Sequence, residues 1–340
     1  MKNFFTISFL GILLAVALLA WWTFGASTTF TASKKSFYIE AGSSFNKVQR
    51  DLERFGFVKH NRTFQIISKL FKYNEQIKAG RFVFEKNTSI YTIFRTLRSG
   101  RQTPVNFVIT KLRTKEDLAE KISNSFDCDS LDVITYLNSN DSLANYNLDS
   151  NTVMTAIIPN TYSILWNTSF SKIFKKLYYE QQKFWNQDRS KKAAALQLTK
   201  TQVYTLASIV EEETNMEEDK GKIASVYINR MQNGMRLGAD PTVKFAMKNF
   251  ALKRIYQKYL SFPSPYNTYQ VSGLPPGPIC TPSQKTIDAV LNATATNYLY
   301  FVAKPDFSGY SNFAETYAEH LIFAKAYQGA LDTLMKKRNQ

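Results

Sequence analysis

The N-terminal part of the chain opens with an uncharged, strongly apolar run from Phe4 to Gly25. A helix needs about 20 apolar residues to cross the hydrocarbon core of a bilayer, and this run is long enough to do so. The apolar part of a cleaved signal peptide, the alternative, is usually about 7–15 residues long. We therefore predict a transmembrane anchor over residues 1–26, with a short cytoplasmic N-terminus, and place the rest of the chain outside the cytoplasm.

The next stretch, residues 27–35, is small, polar and basic, which is typical of a tether. Period-two alternation then predicts strands at 36–39 and 81–85, and apolar residues at helical spacing predict helices that begin near Ser44, Arg62 and Ser89. These elements predict a small α/β module over residues 36–103.

Beyond Pro104 the strand and helix patterns mix without an internal repeat. Strands are predicted at 105–110, at 156–164 and at 297–303. Helices are predicted from Thr114, from Ser169, at 199–214, at 222–233, from an N-cap at Thr242, and at 313–331. The fold class predicted for the whole chain is therefore α+β, with a larger mixed domain over residues 104–340.

Composition changes this picture in two ways. The chain carries 43 Lys and Arg against 27 Asp and Glu, a net charge of +16, and a net +10 of that excess falls between Thr31 and Arg101. Export removes nucleic acid as the natural partner, so this local charge indicates solvated helix faces beside an anionic membrane or the binding of an anionic polymer. With only two Cys and two His, metal clusters are excluded and no cofactor is expected, while pairing of Cys128 with Cys280 stays open.

Three consecutive glutamates end the predicted helix at 199–214. A bare run of Glu is most often a solvated face, but consecutive helical residues point about 100° apart, so at least one carboxyl lies beside the apolar stripe. Desolvation at such a border raises a carboxyl pKa, which a general acid requires at neutral pH. Position alone does not choose between Glu211 and Glu213.

The following segments could surround such an acid. The predicted helix at 222–233 has Tyr227 in its apolar stripe, with Asn229 and Arg230 beside it. Asp240 precedes a proline in a loop, which taken alone is ordinary turn chemistry. The loop at 264–283 is rich in proline and aromatic residues, so it is either a plain surface turn or a rigid surface that stacks on sugar rings.

Several of these segments together resemble the endolytic murein transglycosylases, the YceG-like or MltG family. The matching stretches are LASIVEEET (206–214), VYINRMQNGMRLGADPTV (226–243), YNTYQVSGLPPGPI (266–279), YLYFVA (298–303) and FAETYAEH (313–320), with IKAGRFVF (77–84) and IIPNTY (157–162) also similar. The resemblance implies a LysM-like module after the anchor and a domain that cuts peptidoglycan glycan strands.

The resemblance also implies roles for particular residues. The family's catalytic glutamate is taken as the first of an E-x-E pattern, which falls on Glu211. Candidate substrate-binding residues in the matched segments are Glu213, Asn229, Arg230, Asp240, Thr242, Tyr266, Asn267, Thr268, Tyr269, Leu274 and Gly277.

This sequence departs from the family pattern at three positions. Asn160 stands where Asp is commoner, Glu212 where Lys is frequent, and Ser311 where His is often found. None of the three removes a glutamate of the E-x-E pattern, but a binding role for position 311 is put in doubt.

The function implied is a membrane-anchored lytic transglycosylase that cleaves the MurNAc–GlcNAc bond of nascent strands, forms 1,6-anhydro-MurNAc and so terminates strand growth. Its partners would be peptidoglycan strands, the inner membrane and penicillin-binding synthases. The alternatives are a non-catalytic peptidoglycan-binding scaffold and a two-carboxylate glycoside hydrolase, in which Asp240 would be the second carboxylate.

Overall fold

The computed structural model describes residues 2–338, except for the side chains of residues 2–8, 15, 19, 337 and 338. The chain divides into two units. Unit 1 contains the residues up to Phe107 together with 123–128 and 162–169, and unit 2 contains 108–122, 129–161 and the residues from Phe170 onward.

The first element is helix α1 (Lys2–Phe24), which forms over the uncharged N-terminal run. The predicted anchor at 1–26 lies partly outside the residues whose side chains are described. Within the described part of the chain, no helix is long and apolar enough to cross a membrane. The anchor therefore stays a prediction.

The core of unit 1 is one face of a two-stranded antiparallel sheet covered by short helices. Phe37 and Ile39 of the first strand point to the same face as Phe82 and Phe84 of the second, and Phe37 lies opposite Phe82. The elements of this core are β1 (Lys34–Ile39), α2 (Phe45–Arg54), α3 (Asn61–Leu70), β2 (Gly80–Glu85) and α4 (Ile90–Ser99). The two strands and three helices predicted for the small module are thus present.

The segment expected to be a tether belongs to unit 1. Ser27 is buried, and its hydroxyl accepts a hydrogen bond from Lys59 N at 3.1 Å. The Thr28 hydroxyl accepts another from Asn87 N at 2.7 Å. Residues 27 and 28 are therefore held by backbone donors of the module, which a small polar composition alone does not reveal.

Unit 2 is built around a helix whose middle part is buried on every side. The elements that follow α4 in chain order are β3 (Val105–Ile109), α5 (Lys115–Ser123), α6 (Ser130–Asn138), α7 (Asn140–Ala144), β4 (Asn160–Ile164), α8 (Phe170–Phe184), α9 (Gln187–Ala195), α10 (Lys200–Glu213), α11 (Glu217–Gln232), α12 (Asp240–Ala246), α13 (Gln284–Leu291), β5 (Tyr300–Ala303), β6 (Ser311–Ala314) and α14 (Tyr317–Arg338). Strand β3 pairs with β4, and both strands have residues in each of the two units, while β5 pairs with β6 inside unit 2.

Helix α10 is that central helix. Thr199 caps its N-terminus in a capping box with Gln202, as the local sequence favours. All eight residues from Val203 to Val210 are buried. A helix that is buried on all sides belongs to the interior of a domain. The three glutamates that follow therefore lie at the edge of the core, at the C-terminal end of α10.

Several sequence predictions for the larger domain differ from the structure. The last helix begins at Tyr317 instead of 313, and the strand predicted at 297–303 begins at Tyr300. The apolar residues 156–158 belong to the core, and the strand begins only after Pro159, which has no N–H for a ladder. Helix α11 begins five residues earlier than expected, at Glu217, because acidic residues stabilise a helix N-terminus. Thr242 lies inside α12 rather than capping it, and β6 was not predicted.

A close backbone approach fixes the proline-rich loop at 264–283. A Cβ atom on Gly277 would lie 2.0 Å from the carbonyl oxygen of Asn151. Below about 3 Å real Cβ contacts are essentially absent, so only glycine fits here. The loop and the segment around Asn151 therefore hold each other in place.

Gly277→Ala is expected to lower the free energy of unfolding by about 2–4 kcal/mol, since the backbone must move to admit the methyl group. The matched control is Gly221→Ala in α11, where the nearest atom to a new Cβ is 3.7 Å away. Alanine favours helix by up to about 1 kcal/mol, so the control should be neutral or stabilising. Thermal and denaturant unfolding measure both, and equal stability of the two variants would contradict the close approach.

Candidate active site

The three glutamates at the end of α10 have three different sets of neighbours. Because successive helical residues point about 100° apart, Glu211, Glu212 and Glu213 leave the same buried helix in different directions. Each is half-buried, and each carboxyl is hydrogen-bonded.

The Glu211 carboxylate is matched by a buried cation and two hydroxyl groups. Lys220 Nζ lies 3.5 Å from Glu211 Oε2, and the Lys220 side chain is only 5% exposed. The hydroxyls of Ser283, at 3.2 Å, and Thr286 donate to the same oxygen. Lys220 also pairs with Glu217 at 2.6 Å. Glu211 therefore acts here as an acceptor that ties α10 to α11 and α13.

The Glu212 carboxylate is paired with two cations from the segment before α5. Arg113 binds it with both prongs of its guanidinium, Nε to Oε1 at 3.1 Å and Nη2 to Oε2 at 2.9 Å. Lys111 Nζ lies 3.0 Å from Oε1. Forked pairing of this kind is the strongest arrangement between arginine and a carboxylate. The charge reversal at this position is thus compensated within the same unit.

Glu213 has no cation in direct contact among its described partners. Its Oε1 accepts a hydrogen bond from the hydroxyl of Tyr227 at 2.6 Å. The pKa of Glu213 is raised to about 7, and burial is the largest cause. The Tyr227 hydrogen bond lowers this pKa, the negative charge of Asp240 raises it, and the charges of Lys244 and Arg230 lower it. The Glu213 carboxyl can therefore hold a proton near neutral pH.

Asp240 stands close to Glu213 through the fold rather than along the chain. It is the first residue of α12, followed by Pro241, and its Oδ1 accepts a hydrogen bond from the Tyr269 hydroxyl at 2.7 Å. Burial, and then this hydrogen bond, raise the pKa of Tyr269. The contact fixes Asp240, which is exposed, beside a neutral aromatic side chain.

Asn229 and Arg230 hold the chain that leads into β5. The Asn229 amide donates to the carbonyl oxygens of Thr296 and Tyr298 at 2.7 and 2.9 Å. Arg230 Nε donates to Leu299 O at 2.7 Å. These bonds give both side chains a framework role, and the predicted substrate contact stays a prediction.

Thr242, Asn267 and Thr268 form a buried polar cluster under the loop. Thr268 Oγ1 accepts from Ala239 N at 2.9 Å and is hydrogen-bonded to the Thr242 hydroxyl at 2.9 Å. The Asn267 amide donates to Leu260 O at 3.0 Å and to a second carbonyl in the same turn. Thr242 and Thr268 therefore fasten the loop to α12, and Asn267 fastens it to the turn at 260–262. Direct contact of the three side chains with a substrate remains a prediction.

The remaining predicted residues line or support the cleft. The ring of Tyr266 lies 4.8 Å from that of Phe245, and its hydroxyl is 3.5 Å from Asn151 Oδ1. Leu274 packs on the core around α10. Gly277 permits the close approach to Asn151 described above.

The positions that depart from the family pattern have local structural roles. Asn160 Oδ1 accepts from Thr161 N at 2.8 Å at the start of β4. Ser311 N donates to the buried carboxylate of Asp219 at 2.7 Å. No disulfide joins Cys128 and Cys280, and the Cys280 thiol lies 3.3 Å from Ser208 O.

Sequence reasoning missed several residues that shape this site. Tyr227 was predicted only as part of an apolar stripe, because a buried ring and a buried hydroxyl give the same pattern. Lys220 lay outside the predicted helix. Arg113 is 99 positions from Glu212, and no local spacing relates the two.

Comparisons with known proteins agree with the motifs. A model of the YceG-like family matches residues 37–326. A 116-residue stretch is 43% identical to an endolytic murein transglycosylase of Bacillus subtilis and covers 34% of this chain and 31% of that protein. Another protein of that name, from Streptococcus pneumoniae, is 27% identical over 304 residues, which is 78% of this chain and 53% of the relative. The chain thus matches about half or less of these relatives' lengths.

A solved structure has a similar fold. The crystal structure of a YceG-like protein from Listeria monocytogenes superposes with a TM-score of 0.55 at 26% sequence identity, covering 84% of this chain and 98% of that one. The mixed α+β fold is therefore shared with a known structure.

Asp240→Asn is expected to lower the pKa of Glu213 by about 0.5 unit or more, because it removes a negative charge that disfavours the ionised form. The asparagine keeps an oxygen that can accept from Tyr269. Titration of the side-chain carboxyls by ¹³C NMR measures the shift. Asp306→Asn, at a fully exposed position, is the matched control, and an unchanged Glu213 pKa in Asp240→Asn would contradict the assigned coupling.

Tyr227→Phe is expected to move the same pKa in the opposite direction. The hydroxyl stabilises the ionised carboxylate of Glu213, so its loss should raise the pKa above 7. Tyr179→Phe, on the exposed surface of α8, should leave it unchanged. A downward shift in Tyr227→Phe would mean that the hydrogen bond does not act on the carboxylate.

Proposed function

The chain belongs to the YceG-like family, and from this we propose that it is an endolytic murein transglycosylase, a lyase acting on polysaccharide. It would cleave the bond between MurNAc and GlcNAc within nascent peptidoglycan strands, leave a 1,6-anhydro-MurNAc end and so limit strand length. The observation that carries the proposal is the proton-holding carboxyl of Glu213, set between Tyr227 and Asp240 at the end of the buried helix α10.

The reaction needs one carboxyl group that can give and then take a proton. The protonated acid gives its proton to the glycosidic oxygen as the bond to MurNAc C1 breaks, so GlcNAc leaves with a free 4-hydroxyl. The resulting carboxylate takes the proton of the MurNAc 6-hydroxyl while that oxygen bonds to C1. The carboxyl ends in its initial protonated state, and no water is consumed.

Glu213 meets the requirement for this acid better than its neighbours. An acid works best with a pKa near the operating pH, and burial brings Glu213 to about 7. Glu211, which the family resemblance designates, accepts instead from Lys220 and two hydroxyl groups. We therefore assign the acid–base role to Glu213 and a positioning role to Glu211, whose designation as the acid stays an untested prediction.

Asp240 supports the same chemistry in two ways. Its negative charge raises the pKa of Glu213, which favours the protonated acid in the resting enzyme. As an anion fixed by Tyr269, it would also stabilise the positive charge that develops at MurNAc C1. The rings of Tyr266 and Tyr269, in the loop that contacts Asp240, offer flat surfaces for sugar rings.

The test is cleavage of purified uncrosslinked glycan by wild type, Glu213→Gln and Glu211→Gln, with anhydro ends counted by mass spectrometry. We expect Glu213→Gln to lose at least about 10²-fold in rate and Glu211→Gln to lose less. Glu218→Gln, at an exposed position on α11, is the matched control. Thermal unfolding of each variant separates loss of chemistry from loss of fold.

Other outcomes have definite meanings. If Glu211→Gln abolishes cleavage while Glu213→Gln keeps it, the acid is Glu211. Product ends heavier by one water would identify a hydrolase, with Asp240 as the second carboxylate. If wild type releases no fragments at all, the alternative of a non-catalytic peptidoglycan scaffold is supported.

We further propose that residues 1–26 anchor the chain in the inner membrane, with a LysM-like module at 36–103 and the catalytic domain at 104–340 on the outer side. The uncharged run from Phe4 to Gly25 and the net +10 between Thr31 and Arg101 support this arrangement. We also propose penicillin-binding synthases as neighbours, because they make the nascent strands that are the proposed substrate.

Deletion of residues 2–25 tests the anchor. The full chain is expected to stay in the membrane fraction after an alkaline carbonate wash, and the deleted chain is expected to leave it, because a helix without its apolar run cannot span the bilayer. Release of the full chain by the same wash would contradict the proposed anchor.

A further inference from the structure

A cavity of about 290 Å³ opens in unit 2 beside the candidate active site. It shares Arg113 and Phe245 with a smaller pocket that also contacts Glu212 and Lys244. Lys244 in turn acts electrostatically on Glu213. The cavity and the proposed acid therefore lie in the same unit and are linked through Lys244 and the smaller pocket.

The lining of this cavity is unusually rich in cationic side chains. Lys115 is half-buried in its wall, and its ammonium group donates to Asn138 Oδ1 and to Ser150 O at 3.1 Å. An ammonium group has three N–H donors. Both hydrogen-bond acceptors of Lys115 among the described residues, Asn138 Oδ1 and Ser150 O, are neutral. Burial lowers the pKa of Lys115, which means that its charge is poorly solvated there.

Further charges at the rim leave the balance positive. Arg113 is held by Glu212, which Lys111 also contacts, so two cations face one carboxylate. Lys248 lies 3.5 Å from Glu116, with both side chains exposed. The charges of Glu116 and Asp149 act on Lys115. The Asp149 carboxylate also accepts hydrogen bonds from the backbone N–H groups of residues 151 and 152, each at 2.8 Å.

Part of the wall is rigid and carries groups suited to a polar ligand. Asn151 is locked against Gly277 by the close approach that no other residue permits. Tyr266 reaches the Asn151 side chain, and its ring lies at a tilt of 44° to that of Phe245. A ligand would thus enter a preformed site, which lowers the conformational cost of binding.

We propose that this cavity is a carboxylate-binding subsite that takes the anionic group carried by the MurNAc unit of the substrate, with Lys115 as the principal cation and Lys248 at the entrance. The inference rests on the proposed function. The sugar rings of the glycan carry no charge. They therefore offer no anionic group that could pair with the cations of the cavity. Carboxylates come only from the peptide stem or, where the stem is absent, from the lactyl group.

The size of the cavity fits this assignment. Pockets for drug-sized ligands begin at about 300 Å³, so about 290 Å³ accommodates a few amino-acid atoms rather than a disaccharide. Recognition of the stem here would make cleavage favour strands that carry stems, and recognition of the lactyl group would make it favour stripped strands. The proposed reaction is unchanged, and the subsite adds a preference among glycans.

The test is a binding titration, which does not depend on catalysis. The disaccharide GlcNAc–MurNAc with a tetrapeptide stem, the same disaccharide without a stem, and the GlcNAc dimer are titrated into wild type, Lys115→Gln, Lys248→Gln and Lys175→Gln. Lys175, exposed on α8, provides the matched control. Thermal unfolding checks that each variant is folded.

Wild type is expected to bind the stem-bearing disaccharide about tenfold more tightly than the GlcNAc dimer, and Lys115→Gln should lose most of that difference. Lys248→Gln should lose a smaller part, since its charge is exposed. Tight binding of the stem-free disaccharide as well would assign the lactyl carboxylate as the group recognised, and weak binding of it would assign the stem.

The proposal is overturned if wild type binds all three ligands equally, or if Lys115→Gln and Lys175→Gln behave alike. Unimpaired cleavage by wild type in the glycan assay, together with either of those results, would reject the subsite and keep the proposed function. Failure of wild type to cleave glycan would reject the function itself.

Discussion

The site depends on one constraint: helix α10 is buried on all sides from Val203 to Val210, and the next three residues are glutamates. A carboxylate removed from water must be paired, hydrogen-bonded or protonated, because the cost of leaving it alone is several kcal/mol. Glu211 pairs with a buried lysine, and Glu212 pairs with an arginine and a lysine. Glu213 accepts a hydrogen bond from a neutral tyrosine hydroxyl. The surroundings of Glu213 leave a carboxyl that can hold a proton near neutral pH.

The rest of unit 2 keeps these surroundings in place. Asn229 and Arg230 bind backbone carbonyls ahead of β5. Thr268 fastens the proline-rich loop to the residue before α12, and Asn267 fastens it to the turn at 260–262. These motif residues, predicted to bind sugar, thus make hydrogen bonds that hold the surrounding segments together. A lytic transglycosylase needs a fixed distance between one acid and two oxygen atoms of the substrate, and a rigid frame serves that need.

The sequence predicted the parts of the fold that depend on local chemistry. The cap at Thr199 and the end of α10 lie where the local pattern indicates, and the strands and helices of the small module form within a few residues of their predicted bounds. For the site, the sequence predicted which segments contribute residues but not which side chains contact one another. Whether Glu211 or Glu213 meets a cation depends on which residue of α11 packs beside each, and the partner of Glu212 comes from 99 positions away. Tyr227 has the spacing of a core residue, and nothing local indicates that its hydroxyl faces a carboxyl.

The central claim is that one carboxyl of α10 is protonated in the resting protein and drives cleavage. The pH dependence of kcat/KM for glycan cleavage by the wild-type chain tests it most directly. The account predicts a rate that is high in mildly acidic solution and falls tenfold per pH unit above an apparent pKa near 7, the value set by burial of Glu213. A rate that stays constant from pH 6 to pH 9, or that has already fallen between pH 4 and pH 5, would contradict it.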